Sequence, residues 1–480
     1  MATREEKAGD KTSATPAEKS QIAPPSISLP KGGGAIRGIG EKFAANPVTG
    51  TGSMTVPIFA SPGRSGFGPQ LSLSYDSGAG NGPFGLGWSL SIPSITRKTD
   101  KGLPRYQDAD ESDVFILSGA EDLVPTLVYD NGWAPEDPAL RTVGGITYAI
   151  RRYRPRIEGL FARIERWTNQ SDSSDSFWRS ISKDNISTWY GKTRESRIFD
   201  PDDPTRIFSW LICESYDDKG NAILYEYAAE DSAGIDKSQV NEQNRQLTPS
   251  ANRYIKRIKY GNRESRLQQP DLSSLTWLFE LVFDYDEKYV ALDTPDSSGR
   301  QFAKATSTVP GDSNGSPPPR PWQIRKDPFS SYRAGFEVRT YRLCQRVLMF
   351  HNFPDELGPD PCLVRSTDFT YSFGDDPQDA HKPIYSLLSS VTQTGYKQAN
   401  GKYLLKSLPP VDFGYTEAAI TQVIHKLRMA GRNRKRRLKR DPFQWGKAGC
   451  DELATRLVEL GQGAEISLVC WRRWAWPRRR

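Results

Sequence analysis

Tyr216-Asp-Asp-Lys-Gly-Asn-Ala-Ile-Leu-Tyr-Glu-Tyr227 fits a strand end, an Asp/Gly/Asn turn and a second strand with alternating aromatics into twelve residues. Asp and Asn side chains bond back to their own backbone and Gly accepts the left-handed conformation of a tight reversal, so the stretch reads as a β-hairpin. The same pattern runs outward from it. Strands are expected at 113–119, 123–129, 146–152, 157–165, 176–182, 186–190, 206–217, 222–227, 254–260, 275–285, 336–350, 366–373 and 403–415, with turn residues between them. Helical periodicity is almost absent before residue 416. The chain reads as all-β: successive antiparallel hairpins and sheets with few helices.

Toward the N-terminus the strands shorten and glycine becomes dense. Between Lys31 and Gly102 lie 16 of the 40 glycines, separating short alternating runs at 53–59, 70–76 and 88–92. Each run turns only two or three side chains inward, so the region needs a larger partner surface. Residues 1–28 are polar and rich in Pro, Ser and Lys, as in a mobile leader. The expected organisation is this leader, a Gly-rich hairpin region at 29–130, a β-rich region at 131–420 and a basic tail at 421–480. A polar loop at 231–250 and a Pro-rich loop at 309–321 interrupt the β-rich region.

The formal charge of +7 divides into two parts. Residues 426–480 hold 4 Lys and 12 Arg against 5 acids, a net of +11, whereas the other 425 residues hold 49 basic and 53 acidic side chains, a net of −4. A polyanion-binding body is therefore not expected, and nucleic acid is not a partner for it. Composition, charge and strand periodicity all break near residue 420, and the tail carries Arg432-Asn-Arg-Lys-Arg-Arg-Leu-Lys-Arg440 and Trp471-Arg-Arg-Trp-Ala-Trp-Pro-Arg-Arg-Arg480. Three readings stay open for it: an out-of-frame end, an inert solvated tail, or a segment that binds nucleic acid or an anionic membrane. No apolar run reaches the 18 or so residues of a membrane-spanning helix. The first twenty residues lack an apolar h-region, so a Sec-type signal peptide is not expected. Cys213, Cys344, Cys362, Cys450 and Cys470 form no CxxC pair, which fits synthesis in a reducing compartment.

Several motifs invite a chemical reading and fail a context test. Gly80-Asn-Gly-Pro-Phe-Gly85 matches GxGxxG, but Pro83 sits inside it and a strand rather than a helix follows, favouring a glycine turn. Gly191-Lys192-Thr193 lacks the glycine five residues upstream, where Ile186 stands, so the phosphate cradle is incomplete. His351, His381 and His425 are mutually too far apart in sequence for a local metal site and read as surface or packing residues. Asp200-Pro-Asp-Asp-Pro204 clusters three carboxylates that suit a hard cation, yet its two prolines favour a rigid turn. No catalytic, cofactor-binding or metal-binding residue is assigned, and no cofactor.

At residues 27–125 the chain resembles a known family. The strings are Ser28-Leu-Pro-Lys-Gly-Gly-Gly-Ala-Ile-Arg-Gly-Ile-Gly-Glu-Lys-Phe43, Asn46-Pro-Val-Thr-Gly-Thr-Gly-Ser53, Ser61-Pro-Gly-Arg-Ser-Gly-Phe-Gly68, Leu73 to Trp88, and Glu111-Ser-Asp-Val-Phe115. They are similar to the N-terminal region of SpvB/TcaC-type proteins, the plasmid virulence protein B family and the B components of bacterial insecticidal toxin complexes. The Tyr216–Tyr227 unit resembles the YD-type hairpin of Rhs shell proteins, and the resemblance extends over about 27–416.

The resemblance implies a section of a larger Rhs/YD-like β-shell that encloses a toxic polypeptide. Its implied partners are a toxin-complex C component and an A-component channel, the latter through downstream propeller repeats this chain does not show. It also implies bacterial cytoplasm at synthesis and an extracellular destination without a Sec-type signal. The plasmid virulence proteins add an actin-modifying ADP-ribosyltransferase, which needs a Glu-x-Glu pair; no two glutamates here are separated by one residue. The expectation is thus a non-catalytic, B-component-like structural module, apparently truncated, and not an enzyme. Two alternatives stand beside it: the delivery module of an ADP-ribosylating toxin, and a basic tail acting on nucleic acid or membrane.

Overall fold

Strand alternation places every second side chain on one face, and a strongly twisted sheet that buries that face can close on itself. The computed structural model describes residues 42–45, 51–118, 122–240, 242–245, 251–308, 322–373, 384–399 and 401–415. Its first ten principal strands are β1 (Ser94–Arg97), β2 (Phe115–Leu117), β3 (Asp122–Pro125), β4 (Ala139–Val143), β5 (Ile146–Pro155), β6 (Arg163–Asn169), β7 (Ser176–Ile181), β8 (Ser187–Tyr190), β9 (Arg197–Phe199) and β10 (Ile207–Tyr216). Eight of them close a ring in the order β5-β6-β7-β8-β10-β1-β2-β3 and back to β5, every pairing antiparallel.

A ring of eight strands is just wide enough for side chains to fill. Phe115 sits among Tyr153, Trp178 and Trp210 with ring centroids 5.8, 5.0 and 5.7 Å away. The neighbouring positions point the other way: Trp167, Phe177 and Ile150 form a separate cluster with Tyr148 and Trp189. β4 lies outside the ring and pairs only with β5 among the described residues.

β10 belongs to two sheets. Ser209–Leu211 pair with β1 in the barrel, while Glu214–Tyr216 pair with β11 (Ala222–Ala229), completing the hairpin read from sequence. Its turn is held by Asp217, whose Oδ1 accepts from the N–H groups of Lys219 and Asn221 at 3.0 and 2.9 Å. From β11 a second sheet continues through β12 (Arg253–Asn262), β13 (Trp277–Asp284), β14 (Val290–Leu292), β15 (Phe302–Ala305), β16 (Arg346–His351), β17 (Cys362–Ser372), β18 (Leu387–Ala399), β19 (Lys402–Ser407) and β20 (Val411–Asp412). The spatial order is β11-β12-β13-β16-β17-β18-β19-β15-β14, with β20 also on β18. The far end curls inward: Val290, Ala303 and Tyr403 share a core with Val282, Leu348, Phe350 and Leu363.

The Gly-rich region finds its partner surface on this second sheet. Lys42–Ala45, Gly52–Ile58, Leu71–Asp76 and Trp88–Leu90 form a four-stranded sheet. Val56, Ile58, Leu73 and Trp88 bury into one core with Ile258, Leu281, Phe283, Val347 and Met349.

The structure departs from the expected strands at several points. Leu387–Ala399, thirteen residues long, was not among them, because only Leu388 and Val391 are fully buried aliphatics and most of the other residues are polar. Cross-strand pairs such as Thr394 Oγ1 with Ser407 Oγ, 2.8 Å apart, support it instead. The run at 157–165 is a loop as far as Ala162, and 336–350 breaks at 341–345 between Val338–Thr340 and β16. The segment 123–129 splits at Thr126, after which Leu127–Tyr129 pairs with Trp133–Pro135 as a separate hairpin. In the polar 231–250 segment, Glu242 is buried, pairs with Arg339 and accepts from Tyr341 Oη at 2.5 Å. Phe329–Ser331 pairs with Val338–Thr340 as a small separate sheet, and one helix of four residues, Pro354–Leu357, and short 3-10 turns are also present. The leader 1–28, the loop 309–321, the tail 421–480, His381, His425, Cys450 and Cys470 lie outside the described residues.

Candidate functional site

A charged side chain turned into a barrel must be neutralised, because desolvating it alone costs several kcal/mol. Arg97 on β1 and Arg166 on β6 both turn inward, with side chains 0% and 7% exposed. The segment linking β1 to β2 supplies their partners. Arg97 donates to Asp108 Oδ1 and Oδ2 at 2.6 and 2.8 Å, to Asp113 Oδ2 at 2.7 Å and to the Ile207 carbonyl at 2.7 Å. Arg166 pairs with the same Asp108. Burial pushes the Asp108 carboxyl up, but the two guanidiniums outweigh it and hold it at about 2.

The adjoining Glu111 accepts from Tyr153 Oη at 3.0 and 2.9 Å and pairs with Arg151. Asp108, Glu111, Arg151, Tyr153 and Arg166 line a cavity of about 390 Å³. Every charge in this wall is spent on a neighbour, so the chemistry of the site is closure of the barrel.

A second, more open cleft of about 800 Å³ lies against β10, β11 and β12. Lys192 donates to Glu214 and Lys259 to Glu226, each at 2.8 Å, across a floor of Leu224, Leu272 and Trp277. Cys213 sits in its wall, but burial pushes the thiol up, away from the nucleophilic thiolate. Gly191-Lys192-Thr193 is the turn from β8 toward β9. Gly191 has φ +66° and presses on the Trp210 ring, where any Cβ would overlap it.

The other sequence candidates are placed as follows. Asn81–Gly82 and Gly85–Leu86 pair as a tight hairpin, pinned by Arg325 donating to Gly82 O at 2.7 Å and to Asn81 Oδ1 at 2.8 Å. Gly85, at φ +96°, leaves room for the Ser386 carbonyl, which a Cβ would approach to 2.6 Å. Asp200 is buried and paired with Arg206 at 2.6 Å, while Asp203 accepts from the Thr205 N–H in the same turn. His351 Nε2 lies 2.7 Å from Ser61 Oγ, and burial holds its pKa below the ordinary value. The sequence did not flag the fully buried pair of Arg342 and Glu230, whose bonds at 3.0 Å sit beneath the 231–240 loop. Nothing in a local pattern marks an arginine whose acid is 112 residues away.

What these sites share is that ionic groups hold sheets together. Unspent chemistry lies on the surface instead: of nineteen exposed large hydrophobic side chains among the described residues, ten fall between Leu127 and Phe161. Fold and sites together define a β-scaffold, a barrel fused to a curled sheet. The particular family is the SpvB family, to which the chain belongs: its profile, described as Salmonella virulence plasmid 65kDa B protein, matches residues 46–353.

The chain is 39% identical over 351 residues to the mono(ADP-ribosyl)transferase SpvB of Salmonella choleraesuis strain SC-B67, and 38% identical to that of Salmonella typhimurium. Each match takes in 72% of this chain and 53% of the relative, so the chain spans about half the length of those relatives. The solved N-terminal domain of effector protein SpvB from Salmonella typhimurium strain LT2 superposes with TM-score 0.59 and 35% identity, over 72% of this chain and 98% of that one. The matched part is the non-catalytic region, and the transferase activity lies in a C-terminal part not covered here. The crystal structure of TcdB2-TccC3 matches with TM-score 0.64 and 31% identity, over 82% of this chain and 18% of that one. The Photorhabdus luminescens Tc holotoxin pore matches with TM-score 0.62 and 32% identity. The chain is a structural or delivery module of the bacterial toxin class.

Proposed function

We propose that this chain forms part of the β-sheet wall of a toxin-complex shell, in the manner of a B component, and helps enclose and deliver a toxic polypeptide. The single observation that carries the reading is the match to TcdB2-TccC3 over 82% of the chain. Its partner would be a C component of the TccC3 kind, with an A-component channel engaged through further B-type sequence. Three buried free cysteines, Cys213, Cys344 and Cys362, fit synthesis in a reducing bacterial cytoplasm before export without a Sec-type signal. Co-expression with TccC3 followed by gel filtration tests the reading. Co-elution as one large particle is expected; a folded chain that elutes alone overturns it.

A second reading is favoured by the coverage of 98% of the solved SpvB N-terminal domain. Here the chain is the delivery module of an ADP-ribosylating virulence toxin. It predicts that the chain alone transfers no label from NAD to actin, and that a transferase fused behind it reaches host cytosol.

A further inference from the structure

An edge strand presents a row of unpaired N–H and C=O groups, and natural sheets shield such edges with charge, proline or a covering segment. β4 has no covering segment among the described residues, and Arg141 is its one charge: it pairs with β5 on one side only, and all five of its residues are exposed. One face carries Ala139, Arg141 and Val143, opposite Ile150, Tyr148 and Ile146 on β5. That face continues the apolar cluster of Ile150, Tyr148, Trp167 and Phe177 on the outside of the barrel. Leu140 and Val143 are 64% and 49% exposed. At the strand's centre Arg141 lies over the Trp167 ring at 5.7 Å, and no ion pair is formed by it among the described residues.

We propose that β4 is a docking edge for an added β-strand from a partner polypeptide. Every pairing in this sheet is antiparallel, and the incoming strand continues that pattern, its backbone completing the ladder on the free side of β4. Directly opposed residues share a face, so the strand that fits carries an acidic residue opposite Arg141 and apolar residues opposite Ala139 and Val143. The partner is thus an extended segment of the form apolar-x-acidic-x-apolar. This goes beyond the shell reading and does not depend on it, since the edge is tested without any C component.

The test uses the full chain and two synthetic peptides, Thr-Val-Thr-Glu-Thr-Val-Thr and the same peptide with Lys at its centre. Hydrogen exchange of residues 139–143 is followed with each, alongside affinity by fluorescence. The glutamate peptide is expected to slow exchange in β4 and to bind about three- to fivefold tighter than the lysine peptide, the range a single cross-strand charge pair supports. Arg141→Glu, an exposed change that gives up only the contact with the Trp167 ring, reverses that preference. The proposal is overturned if neither peptide protects β4, or if both protect it equally in wild type and variant. Protection that grows with protein concentration in the absence of peptide assigns the edge to a second copy and overturns it too.

Discussion

Asp284 and Arg346 stand opposite each other on β13 and β16, yet Arg346 Nε stops 3.7 Å from the Asp284 carboxylate and 3.6 Å from that of Asp368 on β17. One guanidinium is divided between two acids. Glu287 closes the site: its N–H donates to Asp284 Oδ1 at 2.8 Å and its carboxylate takes Lys256. Three carboxylates share two cations there, and burial with the Glu287 charge raises the Asp284 carboxyl to about 6.

A carboxyl raised on folding binds its proton more tightly in the folded chain than in the unfolded one. Its stabilising contribution is complete below the unfolded value near 4 and is lost as pH rises through about 6. Asp284→Asn should therefore melt above wild type at pH 7.5, by up to about 2–3 kcal/mol of stability, and converge with it only below the unfolded value, by about pH 3. A variant that melts at or below wild type at pH 7.5 refutes the account.

Arg97→Met removes the cation that Asp108 and Asp113 share inside the barrel mouth. Leaving Asp113 without its cation and Asp108 with Arg166 alone should cost about 3–5 kcal/mol in urea unfolding. Arg152→Met, whose pair with Glu136 is half exposed, is the control and should change stability by about 1 kcal/mol or less.

Glu230→Gln leaves Arg342 without its fully buried counter-ion while keeping a similar shape. A loss of about 3 kcal/mol is expected, together with faster hydrogen exchange in residues 231–240, which Arg342 holds through Asp231 and the Ala233 carbonyl. Unchanged exchange in that loop would show that Arg342 does not anchor it.

Gly191→Ala places a methyl group against Trp210 at a backbone angle of φ +66°. Strain and overlap together should cost about 3 kcal/mol. Gly144, at φ +59° with open space around it, meets only the backbone penalty, and Gly144→Ala should cost about 1 kcal/mol. Equal effects of the two would place the whole penalty in the backbone.

Strand identity was legible wherever burial alternated strongly. The hairpin from Tyr216 to Ala222 carries its own turn chemistry, and β7 buries Phe177 and Trp178 on opposite faces. Leu387–Ala399 escaped because its stability comes from neighbours on β17 and β19 rather than from its own apolar content. Arg97, Arg166 and Arg342 escaped for a related reason: an arginine's burial depends on a carboxylate that only folding brings near.

The sequence by itself determined an all-β chain, a glycine-dense start that must lie on a larger surface, and a body whose charge is nearly balanced. Those are consequences of local geometry: side-chain alternation, turn residues and composition act within a few residues. Only the tertiary structure decided that β1, β2 and β3 return to β10 and β5 to close a barrel, that arginines seal its mouth, and that β4 is left open. Closure depends on pairings between Ser94 and Leu211, more than a hundred residues apart, whose backbone hydrogen bonds carry no sequence signature of their own.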